Sequence, residues 1–112
     1  MELINVQYKG EWNVKNGQLY KGIQLINDDS ELVDSIKNAA NVECTIFLND
    51  TRIATTITSD GKRATGTQAQ EEIKKEVLKS GNSYTGIANV LGTNYKTKYI
   101  PVKDKNGSVI GI

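Results

Sequence analysis

The sequence reads as one α+β domain: an antiparallel β-sheet of about five to six strands with flanking helices. Three observations carry that expectation. Asn16-Gly17, Asp60-Gly61 and Asn106-Gly107 are two-residue hairpin signals set between strand-like segments. Two stretches repeat apolar residues at helical spacing behind capping residues. With 112 residues and a single proline, the chain is long enough for one core, and no Gly/Ser-rich linker divides it.

The elements follow in order. Met1 to Tyr8 looks strand-like, and Asn16-Gly17 turns the strands on either side of it into a hairpin. Asp28 or Asp29 caps a first helix, expected from about Asp29 to Ala40, with Leu32, Val33, Ile36 and Ala40 as its apolar stripe. Thr45 to Thr58 then reads as two short strands joined by a tight turn at Asn49-Asp50. A second turn at Asp60-Gly61 and a basic pair, Lys62-Arg63, lead to a second helix expected over Gln68 to Ser80. Thr67 and Gln70 make a capping box for it. Glu71 and Glu72 suit the positive end of its dipole and Lys79 the negative end, and Gly81 stops it in the left-handed conformation. Three strands close the chain: Ser83 to Leu91, Asn94 to Val102, and Ser108 to Ile112. Gly92-Thr93 and the loop Lys103 to Gly107 join them.

Composition narrows the chemistry. The chain is 38% hydrophobic and 24% charged with a net charge of +1, and its acids and bases are interspersed. It lacks the clustered basic face of a nucleic-acid binder. It has no histidine and one cysteine. Histidine bases, Cys–His nucleophile pairs and Cys/His zinc clusters are therefore excluded within this chain. No metal or other cofactor is expected. Cys44 lies in the apolar run Val42 to Leu48 and reads as a packing residue, as does Trp12. The pairs Asp28-Asp29 and Glu71-Glu72 sit at helix starts, where capping and dipole roles explain them; adjacent helical residues point apart and make no acid/base couple. Asn49-Asp50-Thr51 and Asn106-Gly107-Ser108 match a glycosylation sequon, but turns are enriched in these residues anyway. No apolar run is long enough to span a bilayer. Both ends fall inside apolar strand patterns, as in a segment excised from a longer protein.

Strand alternation separates two faces. Arg52, Ala54, Thr56 and Thr58 would share one face, and Ile53, Thr55 and Ile57 the other, which is the better core face. The Arg52 face is either solvated or the wall of a pocket. In a pocket, Arg52 would be the anchor, since a guanidinium grips a carboxylate or phosphate through two parallel hydrogen bonds. Arg63 is a second cation just before a helix N-terminus, or a plain surface charge. Tyr95, Thr97 and Tyr99 share a face, with Lys96, Lys98 and Ile100 opposite. Rings and hydroxyls together suit a small ligand or ordinary cross-strand packing. Tyr84 and Asn89 on the preceding strand complete the candidates.

The phrases TIFLNDTRIATT, GKRATGT, YTGIANVLGTNY and YIPVKDKNGSVIGI resemble the extracellular single Cache domain of bacterial methyl-accepting chemotaxis proteins. The resemblance covers roughly Lys15 to Ile112. It implies a PAS-like sheet and a sensor that binds a small molecule, an organic acid for example. It implies an extracellular or periplasmic domain of a bacterial cytoplasmic-membrane receptor, with membrane helices on both sides and scope to pair as a homodimer. Taken with the strand faces, it leaves Arg52, Thr56, Arg63, Tyr84, Asn89, Tyr95, Thr97 and Tyr99 as the ligand-binding candidates, Tyr84 and Asn89 through the phrase YTGIANV. The family begins with a long membrane-proximal helix, from which the strand-like Met1 to Tyr8 departs. The competing readings are the sensor domain of a histidine kinase or cyclase, and a PAS- or profilin-like interaction module with a filled core that pairs an exposed strand. A small enzyme would need a nucleophile with a base, a metal cluster or a phosphate loop, and none is visible.

Overall fold

The computed structural model describes Ile4 and residues 8–112. The described residues form eleven strands and two helices. Strands β1 (Trp12–Lys15), β2 (Gln18–Lys21) and β3 (Gln24–Leu25) make an antiparallel meander. Asn16 and Gly17 both take positive φ, as the type I′ turn demands. Helix α1 (Ser30–Ala40) follows. The Asp29 side chain accepts from the Leu32 N–H at its start, and Asn41 closes it in the left-handed conformation. Leu32, Val33 and Ile36 are buried, whereas Ala40, expected in the stripe, is exposed.

Strands β4 (Thr45–Leu48) and β5 (Thr51–Thr55) pair across Asn49-Asp50. The short hairpin β6 (Thr58–Ser59) and β7 (Lys62–Arg63) turns on Asp60-Gly61, both at positive φ. Helix α2 starts as an α-turn (Glu71–Ile73) and continues with π hydrogen bonding (Lys74–Lys79). It begins later than the capping box implied. Gln70 is its N-cap but makes no side-chain capping bond, and its amide instead donates to the Asn89 carbonyl. The Thr67 hydroxyl donates to the Ala64 carbonyl at 2.6 Å. Residues before Glu71 are held from the side: Thr51 bridges Gln68, and the Ala69 N–H donates to the Asp50 carbonyl at 2.8 Å. That pairing keeps Thr67 to Gln70 extended and shifts the helix start.

Strands β8 (Tyr84–Val90) and β9 (Thr93–Tyr99) form a regular hairpin. Its turn is Leu91-Gly92, one residue earlier than read from the sequence, with both residues at positive φ. Chain direction continues from β9 through Ile100-Pro101 into β10 (Val102–Lys103). Pro101 has no N–H for a ladder, which divides what the sequence suggested was one strand. Strand β11 (Val109–Gly111) pairs with β10 and β4, giving the order β10-β11-β4-β5. The loop before β11 is wider than a two-residue turn: the Asp104 carboxylate accepts from the Asn106 and Ser108 amides at 2.9 and 3.0 Å.

Successive residues of β4 point to opposite faces. Ile46 belongs to an apolar cluster with Leu32, Val33 and Ile36 of α1, Trp12, Leu19 and Ile26. Phe47 belongs to a second cluster with Ala69, Ile73, Val77 and Ile112, against which Tyr84 and Tyr99 pack. The two helices therefore take opposite faces of the sheet. At the N-terminus only Ile4 and Tyr8 fall within the described residues. The Tyr8 N–H donates to the Ile4 carbonyl at 2.8 Å, a helical spacing that departs from the expected strand. The rest of that expectation lies outside the described residues. The result is an α+β, PAS-like fold.

Candidate functional site

The β4–β5 pairing is irregular in a way that decides the site. Thr45 pairs with Thr55 and Ile46 with Ala54, but Phe47 pairs with Arg52. Ile53 is the extra residue, a β-bulge. It resets the alternation: Arg52 sits on the Phe47 face, Ile53 and Ala54 both enter the α1 cluster, and Thr55 returns to the Arg52 face. The simple alternation that grouped Arg52 with Ala54 and Thr56 is thus corrected, because a bulge flips every residue beyond it.

On the α2 side of the sheet, a cavity of about 670 Å³ opens between β4–β5 and the hairpin β8–β9. Its volume is within the range of small-molecule sites. Thr45 and Phe47 of β4, Arg52 of β5 and Ile57 form one wall. Gly86, Val90 and the row Tyr95, Thr97 and Tyr99 form the other, with Val42 and Glu43 at one end. Tyr95, Thr97 and Tyr99 are half-buried and alternate with exposed Lys96 and Lys98, as the strand period requires.

Arg52 is the polar centre of this wall. It is 4% exposed. Its guanidinium carbon lies 4.9 Å from the Phe47 ring centre, within cation–π range. Nη1 donates to the Thr67 hydroxyl at 2.9 Å and to the Gln68 carbonyl at 3.0 Å. Nε is buried with no partner, and among the described residues no carboxylate pairs with this cation. Burial therefore lowers its pKa, while the Tyr99 phenol opposes that shift. Burial in turn raises the Tyr99 pKa. Tyr99 packs at 6.4 Å from Phe47 and 6.1 Å from Tyr84, ring centre to ring centre. Its hydroxyl makes no hydrogen bond within the described residues.

At the far end, the Glu43 carboxylate is already engaged. Oε1 accepts from Lys37 Nζ at 2.5 Å and Oε2 from the Thr56 hydroxyl at 2.6 Å. These bonds, Lys37 first, hold its carboxyl below the ordinary value. Cys44 beside it is half-buried, and its thiol is pushed up to about 11 by burial. That thiol is protonated and weakly nucleophilic at neutral pH.

Of the eight residues picked from the sequence, Arg52, Tyr95, Thr97 and Tyr99 line the cavity together. Thr97 also ties the hairpin, its hydroxyl donating to the Gly86 carbonyl at 2.9 Å. Thr56 does not line it and instead steadies Glu43. Arg63 lies elsewhere, bidentate to Asp34 at 2.7 and 2.8 Å and donating to the Thr55 carbonyl. Tyr84 packs behind Tyr99, and Asn89 points outward to bond Asn94 at 3.1 Å. The sequence reading did not pick Glu43, Thr45 or Phe47. Phe47 was within reach of it: a two-residue turn at Asn49-Asp50 pairs Leu48 with Thr51 and therefore Phe47 with Arg52. Glu43 and Thr45 carried no comparable signal.

No curated protein and no solved structure matches the chain. Residues 24–112 match the family described as Single cache domain 3. That span takes in both helices, the whole sheet around the cavity and every residue of its walls. The chain therefore belongs to the single Cache domain 3 family of extracellular small-molecule sensor modules.

Proposed function

We propose that the cavity is the ligand site of this sensor module and that Arg52 anchors the carboxylate of an organic acid there. The observation that carries this reading is the state of the Arg52 guanidinium. It is buried against Phe47, its Nη1 is held by Thr67 and Gln68, and its Nε has no partner. Nη2, which shares an edge of the fork with Nε, makes no hydrogen bond among the described residues and is the nitrogen left to donate to a carboxylate. A buried cation without a counter-charge is costly, and an incoming anion removes that cost. Tyr95, Thr97 and Tyr99 supply rings and hydroxyls on the facing wall.

The parent protein, in this reading, is a membrane-anchored receptor of the methyl-accepting chemotaxis type, with this domain outside the cytoplasmic membrane. The phrases Thr45 to Thr56, Gly61 to Thr67, Tyr84 to Tyr95 and Tyr99 to Ile112 support that assignment over a histidine kinase or a cyclase. Signal would leave through β11. Phe47 and Ile112 exchange backbone hydrogen bonds of 2.9 and 3.1 Å, and both side chains sit in the cluster beneath the cavity. A ligand that presses on Phe47 and Tyr99 shifts that strand, provided it binds the two arrangements with different affinity.

The test is a thermal-shift screen of the purified domain against organic acids, amino acids, amines and nucleobases. A ligand at a hundred times its dissociation constant adds about 2.7 kcal/mol, a shift of several degrees for a domain this size. An acid whose shift disappears in Arg52→Lys is the expected result. Stabilisation only by amines or nucleobases, unaffected at Arg52, would refute the anion site.

A further inference from the structure

We infer that the cavity takes a monocarboxylate with an apolar body and without an α-amino group. This rests on the reading of Arg52 as the carboxylate anchor and specifies what surrounds that anchor. An α-ammonium would sit within about 3 Å of the bound carboxylate and would need an acceptor beside Arg52. The Thr67 hydroxyl and the Gln68 carbonyl each accept one bond from Nη1, and the Thr67 proton goes to Ala64, so the acceptors beside Arg52 are neutral and already shared with its guanidinium. The next neighbours are the Phe47 ring, which the Arg52 cation already faces, and the Tyr99 ring and phenol; neither supplies an anion to pair with an ammonium. Glu43 is the one carboxylate lining the cavity among the described residues. It stands four residues from Phe47, the cross-strand partner of Arg52. That is about 13 Å along the backbone if the chain is extended. Both Glu43 oxygens are also engaged, with Lys37 and Thr56.

The same geometry disfavours a dicarboxylate. A second carboxylate reaching along the cavity toward Glu43 would meet an ionised carboxyl that accepts from Lys37 and Thr56 and has no proton to donate. Lys96 and Lys98 border the cavity, but they hold the exposed positions of β9. Between Arg52 and Glu43 the walls are mainly apolar: Phe47, Ile57, Val90 and Tyr95 face the space. A carboxylate tail in this space gains by burial, at roughly 25 cal/mol per Å² of apolar surface removed from water.

Calorimetric titration of the purified domain with 3-phenylpropanoate, L-phenylalanine and glutarate tests this. L-phenylalanine adds only the α-amino group to the first probe, and glutarate replaces its apolar body with a second carboxylate. The expected result is that 3-phenylpropanoate binds at least about tenfold more tightly than either. In Arg52→Lys, checked for folding by circular dichroism, its affinity falls by at least about tenfold. L-phenylalanine or glutarate binding as tightly as 3-phenylpropanoate, with both lost in Arg52→Lys, overturns the inference and leaves the anion site standing. No response to any acid overturns both. Should Arg52→Lys not fold, amide shift mapping of the wild type decides: perturbations at Phe47, Arg52 and Tyr99 support the site, and perturbations confined to other elements overturn it.

Discussion

The Arg52 guanidinium carbon lies 4.9 Å from the centre of the Phe47 ring, and the two residues are direct cross-strand partners. That pairing joins three things. The ring is part of the cluster under α2, the guanidinium lines the cavity, and Nη1 bonds the extended segment leading into α2. Anything that binds Arg52 therefore touches the sheet, the helix approach and the cluster at Ile112 together.

Arg52→Lys should keep the positive charge and lose the fork. A lysine ammonium cannot bond Thr67 and Gln68 while offering a second edge to a carboxylate. Acid affinity is expected to fall at least about tenfold, and stability by about 1 kcal/mol. Titration calorimetry and urea unfolding measure the two separately. Arg52→Ala is the harsher substitution, because it also leaves a void against Phe47.

Tyr99→Phe separates packing from the hydroxyl. Both ring contacts, with Phe47 and Tyr84, are retained, so the melting temperature should stay within a degree or two of wild type. If the hydroxyl meets the ligand, affinity should drop by a factor of about five, the worth of one neutral hydrogen bond. An affinity equal to wild type would make Tyr99 a packing residue only.

Gly111→Ala should destabilise the domain by about 1–3 kcal/mol. A Cβ at Gly111 would stand 2.1 Å from the Phe47 carbonyl oxygen, a backbone atom with no freedom to swing away. The same contact lies where β11 meets β4, so ligand response should weaken along with stability. Chemical denaturation measures the first effect and titration of the folded fraction the second.

Acid should loosen the cavity end at Glu43. Its folded-state pKa lies below the ordinary value of 4.5, through Lys37 first and Thr56 second. A depressed carboxylate contributes stability that is complete above the unfolded value and is lost as pH falls through the folded one. Asp34, paired with Arg63, moves in the same direction. Melting temperatures recorded from pH 7 down to about pH 3 should fall more steeply in wild type than in Glu43→Gln. Parallel curves would show that the Lys37–Glu43 pair adds nothing.

Local signals determined most of the fold. Asn16-Gly17 and Asp60-Gly61 tolerate the positive φ that a two-residue turn requires, and Asp29 caps a helix through its own side chain, so these elements were legible without tertiary context. The alternation of Tyr95, Thr97 and Tyr99 was legible for the same reason: it is a property of one strand. Three features were not. The bulge at Ile53 is a relationship between β4 and β5, and it alone decides that Arg52 faces Phe47 while Ala54 faces α1. The delayed start of α2 depends on backbone bonds from Asp50 and Arg52 to residues 66–69, which outcompete the capping box. The engagement of Arg63 by Asp34, 29 residues away, turned a candidate ligand cation into an ion pair. Sequence fixes what a residue can do over one turn or one strand. Which cation stays unpaired in a cavity depends on partners brought together by folding, and only the tertiary structure decides it.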